Sequence, residues 1–519
     1  MNEHSTQPQK QPASIKQVGL LFLTAIAISL ISLFLYNSWS QPQFQGQLQL
    51  YETNLLLNAS TWDGKNLDVK TQDVLQQILL GGEPLTNAVE QYEKGRDDTA
   101  ELLQTTREQL KELNQQPTPS LTQTQPLEQK ITTLEDALEG IELKLGLLQT
   151  QVRKAPEAVE LWTKIARESE SSYSDVAEIL IGLWQAPPDV APNAEEILPA
   201  KLSGWFRYQT LKQLYTTQNE ELALNQIEIA QQELASSAIG KLAIVAGIQS
   251  IGILTGIILL VFAAIQWLIK RQQSLLSSTS DQLPKVPWDW QTILLVLVAG
   301  FFFIGQLITP VIFQQGLSLF SLSRGAGGVR ADAVIILLSY LISSASALGV
   351  LYIATKPFRP LPSGWLKFQI NWQSMAWGIG GFAVAIPLVL LISLLNQMVW
   401  QGQGGSNPIL PLALQSNDAI AIACFTFTAS VAAPVFEEII FRGFLLPSLN
   451  RYVPLWAAIL LSGLAFAIAH LSLSEVIPLM TLGIIMGFIY TRSGNLLAPI
   501  LLHSLWNANT LLSLFVLAT

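Results

Sequence analysis

The stretch VFEEIIFRGF, residues 435–444, places two carboxylates and a guanidinium in an apolar region of the chain. A charged side chain at the centre of a membrane helix costs at least ~2.5–3.5 kcal/mol on insertion scales, so pairing or function must compensate for it. Glu438 and Arg442 are four residues apart with the acid first, which favours an ion pair on one helix face. Glu437 points about 100° away from Glu438 on the same helix. The stretch therefore predicts a membrane helix with one ion pair and one carboxylate free of it.

The composition places this stretch in a membrane protein. Of the 519 residues, 50% are hydrophobic and 13% are charged, which is too apolar for an ordinary soluble protein. A helix of about 20 apolar residues crosses the hydrocarbon core, and nine stretches approach that length. They are Val18–Tyr36, Leu242–Ile269, Ile293–Phe313, Ala333–Ala354, Ala376–Met398, Ala419–Phe436, Leu455–His470, Ile477–Tyr490 and Leu496–Leu517. We predict an all-α, polytopic helical membrane protein with about nine spans.

A polar segment rich in helix formers separates the first two predicted spans. We assign residues 1–40 to an N-terminal tail and membrane anchor, 41–240 to an inserted helical domain and 241–519 to a multi-span core. Pro117 and Pro119 interrupt the inserted domain, which predicts an antiparallel helical hairpin. After these prolines, apolar residues recur at alternating spacings of four and three, as in a coiled-coil seam. The seam is Leu127, Ile131, Leu134, Leu138, Ile141, Leu145, Leu148 and Val152.

Such a seam more often packs a protein's own helices than recognises a partner, so a protein partner for the helical domain stays an open alternative. Lys and Arg cluster in every second short connection, and such loops are retained on the cytoplasmic side. This pattern predicts an extracytoplasmic helical domain. We expect a multi-pass protein of a bacterial cytoplasmic membrane or an equivalent internal membrane.

Charge and cysteine content exclude other classes of protein. The net charge of −9 argues against nucleic acid as a partner. The single cysteine, Cys424, lies in a predicted span. A disulfide framework or a multi-cysteine metal site within one chain is therefore excluded.

Two histidines add titratable groups to the apolar C-terminal region. The chain has three histidines, and all but His4 lie there, His470 in FAIAHLS and His503 in LLHSLWNAN. Helices on either side of a turn near residues 451–454 bring Glu437 and His470 to a similar depth. We expect His503 to reach that depth from a later helix.

Phe466 and Asn507 complete the candidate set. Phe466 and His470 are four residues apart, as are His503 and Asn507, so each pair shares a helix face. A lone membrane histidine is usually an interhelical hydrogen-bond partner, and an intramembrane ion pair can simply lock two helices. The combination of all these groups favours a functional site over packing alone.

The residue types predict hydrolysis of a peptide bond. A water held between Glu437 and His470 could lose a proton and attack a carbonyl, while His503 and Asn507 donate to the oxyanion. Alternatively, Glu437, His470 and His503 could bind a divalent metal such as zinc that activates the water. Residue types leave both mechanisms open. HExxH is absent, which excludes a soluble zincin-type site.

Three motifs together resemble the signature of the CPBP family of intramembrane proteases, which includes the type II CAAX prenyl endopeptidases and bacteriocin-processing or immunity relatives. EExxxR corresponds to Glu437, Glu438 and Arg442, FxxxH to Phe466 and His470, and HxxxN to His503 and Asn507. The resemblance covers residues 417–519 and implies a membrane protease core. It also implies that Glu437 activates the water with His470 assisting and that His503 and Asn507 stabilise the oxyanion, without a settled need for a metal.

The leading interpretation is therefore an intramembrane endopeptidase that cleaves membrane-associated proteins or peptides, CAAX-type prenylated ones among the possible substrates. A non-catalytic membrane scaffold or immunity-type protein, acting through its helical domain, is the main alternative. A secondary transporter is a third, since intramembrane carboxylates also serve transport. No repeated half with a matching broken helix supports it.

Overall fold

The computed structural model describes residues 15–39, 44–64, 77, 79–115, 121–152, 154–167, 172–277, 283–318, 328–400, 404–405 and 418–518. Within these ranges every regular element is helical, which confirms the all-α class. In chain order the helices are α1 (Ile15–Trp39), α2 (Phe44–Ser60), α3 (Pro84–Asn114), α4 (Leu121–Gln151), α5 (Ala155–Arg167), α6 (Ser174–Trp184), α7 (Ala194–Lys201), α8 (Gly204–Gln218), α9 (Glu221–Lys270), α10 (Trp290–Leu317), α11 (Gly328–Thr355), α12 (Trp372–Trp400), α13 (Ala419–Leu449), α14 (Leu455–Ile468), α15 (Val476–Ser493) and α16 (Leu497–Ala518).

The part of the chain described contains 7 helices long and apolar enough to cross a membrane, namely α1, α9, α10, α11, α12, α13 and α15. This confirms a multi-pass membrane protein, whereas the predicted number of nine spans is not confirmed. Two of the predicted spans fall on α14 and α16. Helix α14 is apolar but has only 14 residues. Helix α16 has 22 residues, but polar side chains such as His503 and Asn507 interrupt its apolar surface.

Contacts divide the chain into two compact units. Residues 42–248 form one, and residues 1–41 with 249–515 form most of the other. We call these the helical unit and the membrane unit. The boundary falls inside α9, whose second half is apolar. Placement of the helical unit outside the cytoplasm stays a prediction.

In the helical unit, α3 and α4 pack along each other and share an ion pair of 2.5 Å between Arg107 and Glu135. The predicted seam describes only one face of α4. Leu143 and Leu147, outside the seam, are fully buried because α5 and α8 also pack on this half of the helix. The coiled coil is therefore not confirmed. Pro117 and Pro119 lie outside the described residues.

In the membrane unit, an aromatic cluster holds the C-terminal end of α13. The Trp288 ring stacks on Phe444 with 5.5 Å between centroids and meets Trp365 edge-on at 5.2 Å. Its indole N–H donates to the Ser448 hydroxyl at 2.7 Å. Buried aromatic pairs of this kind add stability beyond their buried area, so they fix the helix that carries the EExxxR motif.

Helix α13 widens into π-helix at residues 428–432 and 439–445. Short π-helical turns are frequent at functional sites and alter the regular backbone hydrogen bonding of a helix. In α13, three backbone carbonyls in these stretches accept hydrogen bonds from side chains of other segments. The pairs are Asn507 Nδ2 to Ala429 O at 2.7 Å, Ser462 Oγ to Phe441 O at 2.9 Å and Trp365 Nε1 to Gly443 O at 2.9 Å.

Helix α13 begins at a capped and charged end. The Asp418 carboxylate accepts hydrogen bonds from the backbone N–H groups of Ile420 and Ala421, which satisfies donors of the first helical turn. Arg330 also donates to it, at 2.6 Å. The hydrogen bond from Arg330, followed by those from the backbone, lowers the pKa of Asp418 to about 2.

Helices α14 and α15 cross closely at two glycines. A Cβ on Gly483 would lie 2.8 Å from the Cα of Gly463, a distance that real side chains do not tolerate. The absence of a side chain at Gly483 also leaves its carbonyl accessible to Arg442, whose Nη2 donates to it at 2.9 Å. The crossing thus connects the packing of two helices to the EExxxR motif.

We expect Gly483→Ala to destabilise the membrane unit by about 1–3 kcal/mol, because the added methyl overpacks a backbone contact. Gly349→Ala, on α11, is the matched control because a Cβ there meets nothing within 4 Å. Thermal unfolding of both variants in detergent measures the difference. Equal unfolding temperatures for the two would show that the crossing tolerates a side chain.

Candidate active site

The predicted ion pair between Glu438 and Arg442 is present and fully buried. Arg442 Nη1 lies 2.7 Å from Glu438 Oε1, and both side chains are 0% exposed. The same oxygen also accepts from His503 Nδ1 at 3.1 Å, and this side chain is 3% exposed. Glu438 therefore joins α13 to α16, a contact that the motif spacing did not predict.

Three contacts hold Arg442 in place. Besides Glu438 and the Gly483 carbonyl, its guanidinium lies over the Phe466 ring at 4.6 Å from the centroid. A guanidinium over an aromatic face is a favourable cation–π arrangement. Arg442 thus connects α13, α14 and α15, which supports a structural role for it.

Phe466 contacts three other members of the predicted set. Its fully buried ring meets those of His470 and His503 edge-on, with centroids 4.9 Å and 5.5 Å apart. Together with the guanidinium of Arg442, the two imidazoles are therefore gathered around one ring. The structure brings residues from three distant parts of the C-terminal sequence into a single cluster.

The hydrogen bond from His503 fixes the position of its proton. The partner, Glu438 Oε1, is the carboxylate oxygen that also accepts from Arg442, so Nδ1 carries the hydrogen of this bond. In the neutral ring, Nε2 then has a lone pair and is a proton acceptor. Nε2 can donate to an oxyanion only when the ring carries a second proton.

His470 has the same tautomer for a different reason. Its Nδ1 lies 2.9 Å from the backbone carbonyl of Phe466, which can only accept. Nε2 of the neutral ring is therefore again the acceptor. His470 lies in the turn that follows α14, and the next residue, Leu471, has a left-handed backbone with φ of 57° that ends the helix. The turn places the imidazole at the end of α14 rather than on its side.

Glu437 is free of the ion pair, as predicted, but it has a partner that the sequence did not reveal. The hydroxyl of Tyr340, on α11, lies 3.3 Å from Glu437 Oε1. Glu437 Oε2 is buried and has no hydrogen-bond partner among the described residues. Glu438 Oε2 shares that property, but Glu438 is already occupied by two donors on its other oxygen.

Asn507 donates from Nδ2 to the carbonyl of Ala429 at 2.7 Å. An amide nitrogen carries two hydrogens, so one N–H is left for another acceptor. This bond fixes the amide against the π-helical stretch of α13 at residues 428–432, which precedes Glu437 in the sequence. The role of Asn507 as an oxyanion donor stays a prediction.

Metal binding was the alternative for Glu437, His470 and His503. Carboxylate and imidazole are ordinary zinc ligands, and both Nε2 atoms have lone pairs in the neutral rings. Within the residues that the structure describes, however, no three His, Cys, Asp or Glu side chains are grouped so that they could hold a metal ion.

Sequence reasoning missed two polar residues beside the motif. Tyr340 lies in an apolar helix where nothing in the spacing marks it. Gln306, on α10, donates from Nε2 to the carbonyl of Ala469 at 3.2 Å and so fixes the peptide before His470. A polar side chain within a predicted span is the one signal that could have indicated both.

Comparison with known proteins identifies two matches to this chain. Residues 419–509 match the family model of the Type II CAAX prenyl endopeptidase Rce1-like proteins. Over 224 residues the chain is 25% identical to "Putative membrane peptidase YdiL" of Bacillus subtilis (strain 168), which covers 42% of this chain and 85% of that protein. No solved structure matches the chain significantly. The two matches confirm the resemblance to the CPBP and CAAX protease family, and the first contains all three motifs.

Proposed function

We propose that this chain is an intramembrane endopeptidase in which Glu437 activates the attacking water. The observation that carries the proposal is the state of Glu437, a carboxylate with one oxygen held by Tyr340 and the other buried without a partner among the described residues. A buried acceptor without a donor is costly. A water bound there would remove that cost and become the nucleophile.

The proposed reaction begins with this water between Glu437 and His470. Glu437 Oε2 takes one proton as the water oxygen attacks the peptide carbonyl, and His470 Nε2 accepts a hydrogen bond from the second O–H. The tetrahedral intermediate carries a negative oxygen. The proton on Glu437 then passes to the departing amine, which leaves a new carboxyl terminus and an ionised Glu437.

Stabilisation of the oxyanion falls to His503 and Asn507. Because Nδ1 of His503 is bound to Glu438, donation from Nε2 requires the protonated ring. The remaining N–H of Asn507 is the second donor. Since Glu437, His470 and His503 do not form a group of metal ligands in the described residues, the proposed mechanism has no step through a metal.

The proposed substrates are membrane-associated proteins or peptides, with CAAX-type prenylated proteins as one class. An apolar cavity of about 380 Å³ lies between α1, α10 and the end of α14, beside the turn that carries His470. Its lining includes Ala27, Val298, Phe301, Phe441, Ile468 and Leu471. Such a lining suits the apolar side chains of a substrate segment. A protein partner for the helical unit stays a prediction.

Two amide substitutions at His503 test its assigned role. His503→Asn keeps an N–H near the position of Nδ1, which faces Glu438, but removes Nε2. We expect it to unfold near the wild-type temperature and to lower kcat by about 10²–10³-fold, as removal of an oxyanion donor does. Hydrolysis by purified protein in proteoliposomes measures this.

His503→Gln is the matched variant, because its amide lies near the position of Nε2 and cannot reach Glu438 as Nδ1 does. It should unfold at a lower temperature than His503→Asn while hydrolysing faster. Wild-type activity in His503→Asn would show that Nε2 takes no part in the reaction.

A further inference from the structure

We propose that Tyr340 is a positioning residue that orients the Glu437 carboxylate for attack by water. The inference rests on the proposed function and extends it to a helix outside the matched family region of residues 419–509. The Tyr340 hydroxyl lies 3.3 Å from Glu437 Oε1, and an ionised carboxylate can only accept, so the phenol is the donor.

Tyr340 is itself held in place. Its ring meets Phe436 edge-on with centroids 6.2 Å apart, and Phe436 stacks on Phe301 at 5.9 Å. The donor to Glu437 therefore belongs to a side chain whose ring is fixed by packing.

This contact makes the two oxygens of Glu437 different. A carboxylate rotates easily about its last bond, and each rotation exchanges the oxygen that faces the water. Since Tyr340 binds Oε1, Oε2 is the oxygen left for the nucleophile. Holding a catalytic group in its productive orientation is a large source of rate enhancement. In this arrangement Tyr340 acts on the nucleophile through Glu437.

Tyr340→Phe removes the hydroxyl and keeps the ring that packs on Phe436. We expect kcat for a cleaved peptide to fall by about 10–100-fold, the range for loss of a hydrogen bond to a charged group, with KM and unfolding temperature unchanged. The matched control is Tyr352→Phe, the same change on the same helix at a side chain that is 53% exposed. It should leave kcat unchanged.

A second readout needs no substrate. The infrared carboxyl absorption of Glu437, assigned by its disappearance in Glu437→Gln, should shift in Tyr340→Phe and stay in place in Tyr352→Phe. A role for Tyr340 in ring packing alone would not move this absorption. An unshifted absorption, or a shifted one with wild-type kcat, would overturn the positioning role. If the proposed function itself is wrong, the result is different. The wild-type protein then cleaves no peptide, although the Glu437 absorption still shifts in Tyr340→Phe.

Discussion

Replacing Glu437 with glutamine should lower the rate of peptide hydrolysis by about 10²–10⁴-fold, the typical contribution of a general base. Glutamine has nearly the same shape and can still accept from Tyr340, but it cannot take a proton from water. The protein should therefore fold as the wild type does. Cleavage of a membrane peptide by purified protein in proteoliposomes, followed by mass spectrometry, measures the loss.

The same chemical change at Glu475 is the control. Glu475 directly precedes α15 and lies outside the three motifs, so Glu475→Gln should cleave at the wild-type rate. If Glu437→Gln cleaves as fast as this control, then the base has been assigned to the wrong residue. If both variants are inactive, loss of the fold rather than of the base explains the result.

The largest effect on stability should come from breaking the buried ion pair. Arg442→Met leaves the Glu438 carboxylate buried without its guanidinium, and removal of one partner from such a pair destabilises a protein by about 3–5 kcal/mol. The side chains of both residues are 0% exposed, so water cannot replace the lost partner. Thermal or denaturant unfolding in detergent measures the change.

Two comparisons make this prediction specific. The double variant with Glu438→Leu and Arg442→Met removes both charges and should be more stable than Arg442→Met alone. Arg330→Met breaks a pair of the same type and a similar length, 2.6 Å, at an exposed position. It should leave stability nearly unchanged, because water screens exposed pairs. Equal losses in Arg442→Met and Arg330→Met would contradict the assignment.

Local spacing was enough to predict the parts of the site that lie on one helix. Glu438 and Arg442 form the expected pair because residues four apart meet on any helix, and their separation keeps them adjacent even where α13 widens. Clustering of His470 and His503 around Phe466 also agrees with the motifs. The widening itself was not predicted, since an apolar segment has no periodicity that distinguishes π-helix from α-helix.

Contacts between helices could not be predicted in the same way. The bond from His503 to Glu438 depends on how α16 packs against α13, and the bond from Tyr340 to Glu437 depends on α11. Neither contact is marked by spacing along the chain. The number of spans could not be predicted from hydropathy for a related reason. Helix α14 is short, and α16 carries polar groups of the site, so hydropathy describes both helices poorly.

If this chain cuts peptides with Glu437 as its base, the membrane peptides of cells should depend on that carboxylate. Cells in which the only copy of this protein carries Glu437→Gln should accumulate a set of membrane-associated polypeptides that are shortened in wild-type cells. Purified wild-type protein should cut those polypeptides at the same bonds. Identical membrane peptides in the two kinds of cell, or accumulated polypeptides that the purified wild-type protein leaves intact, would contradict the claim.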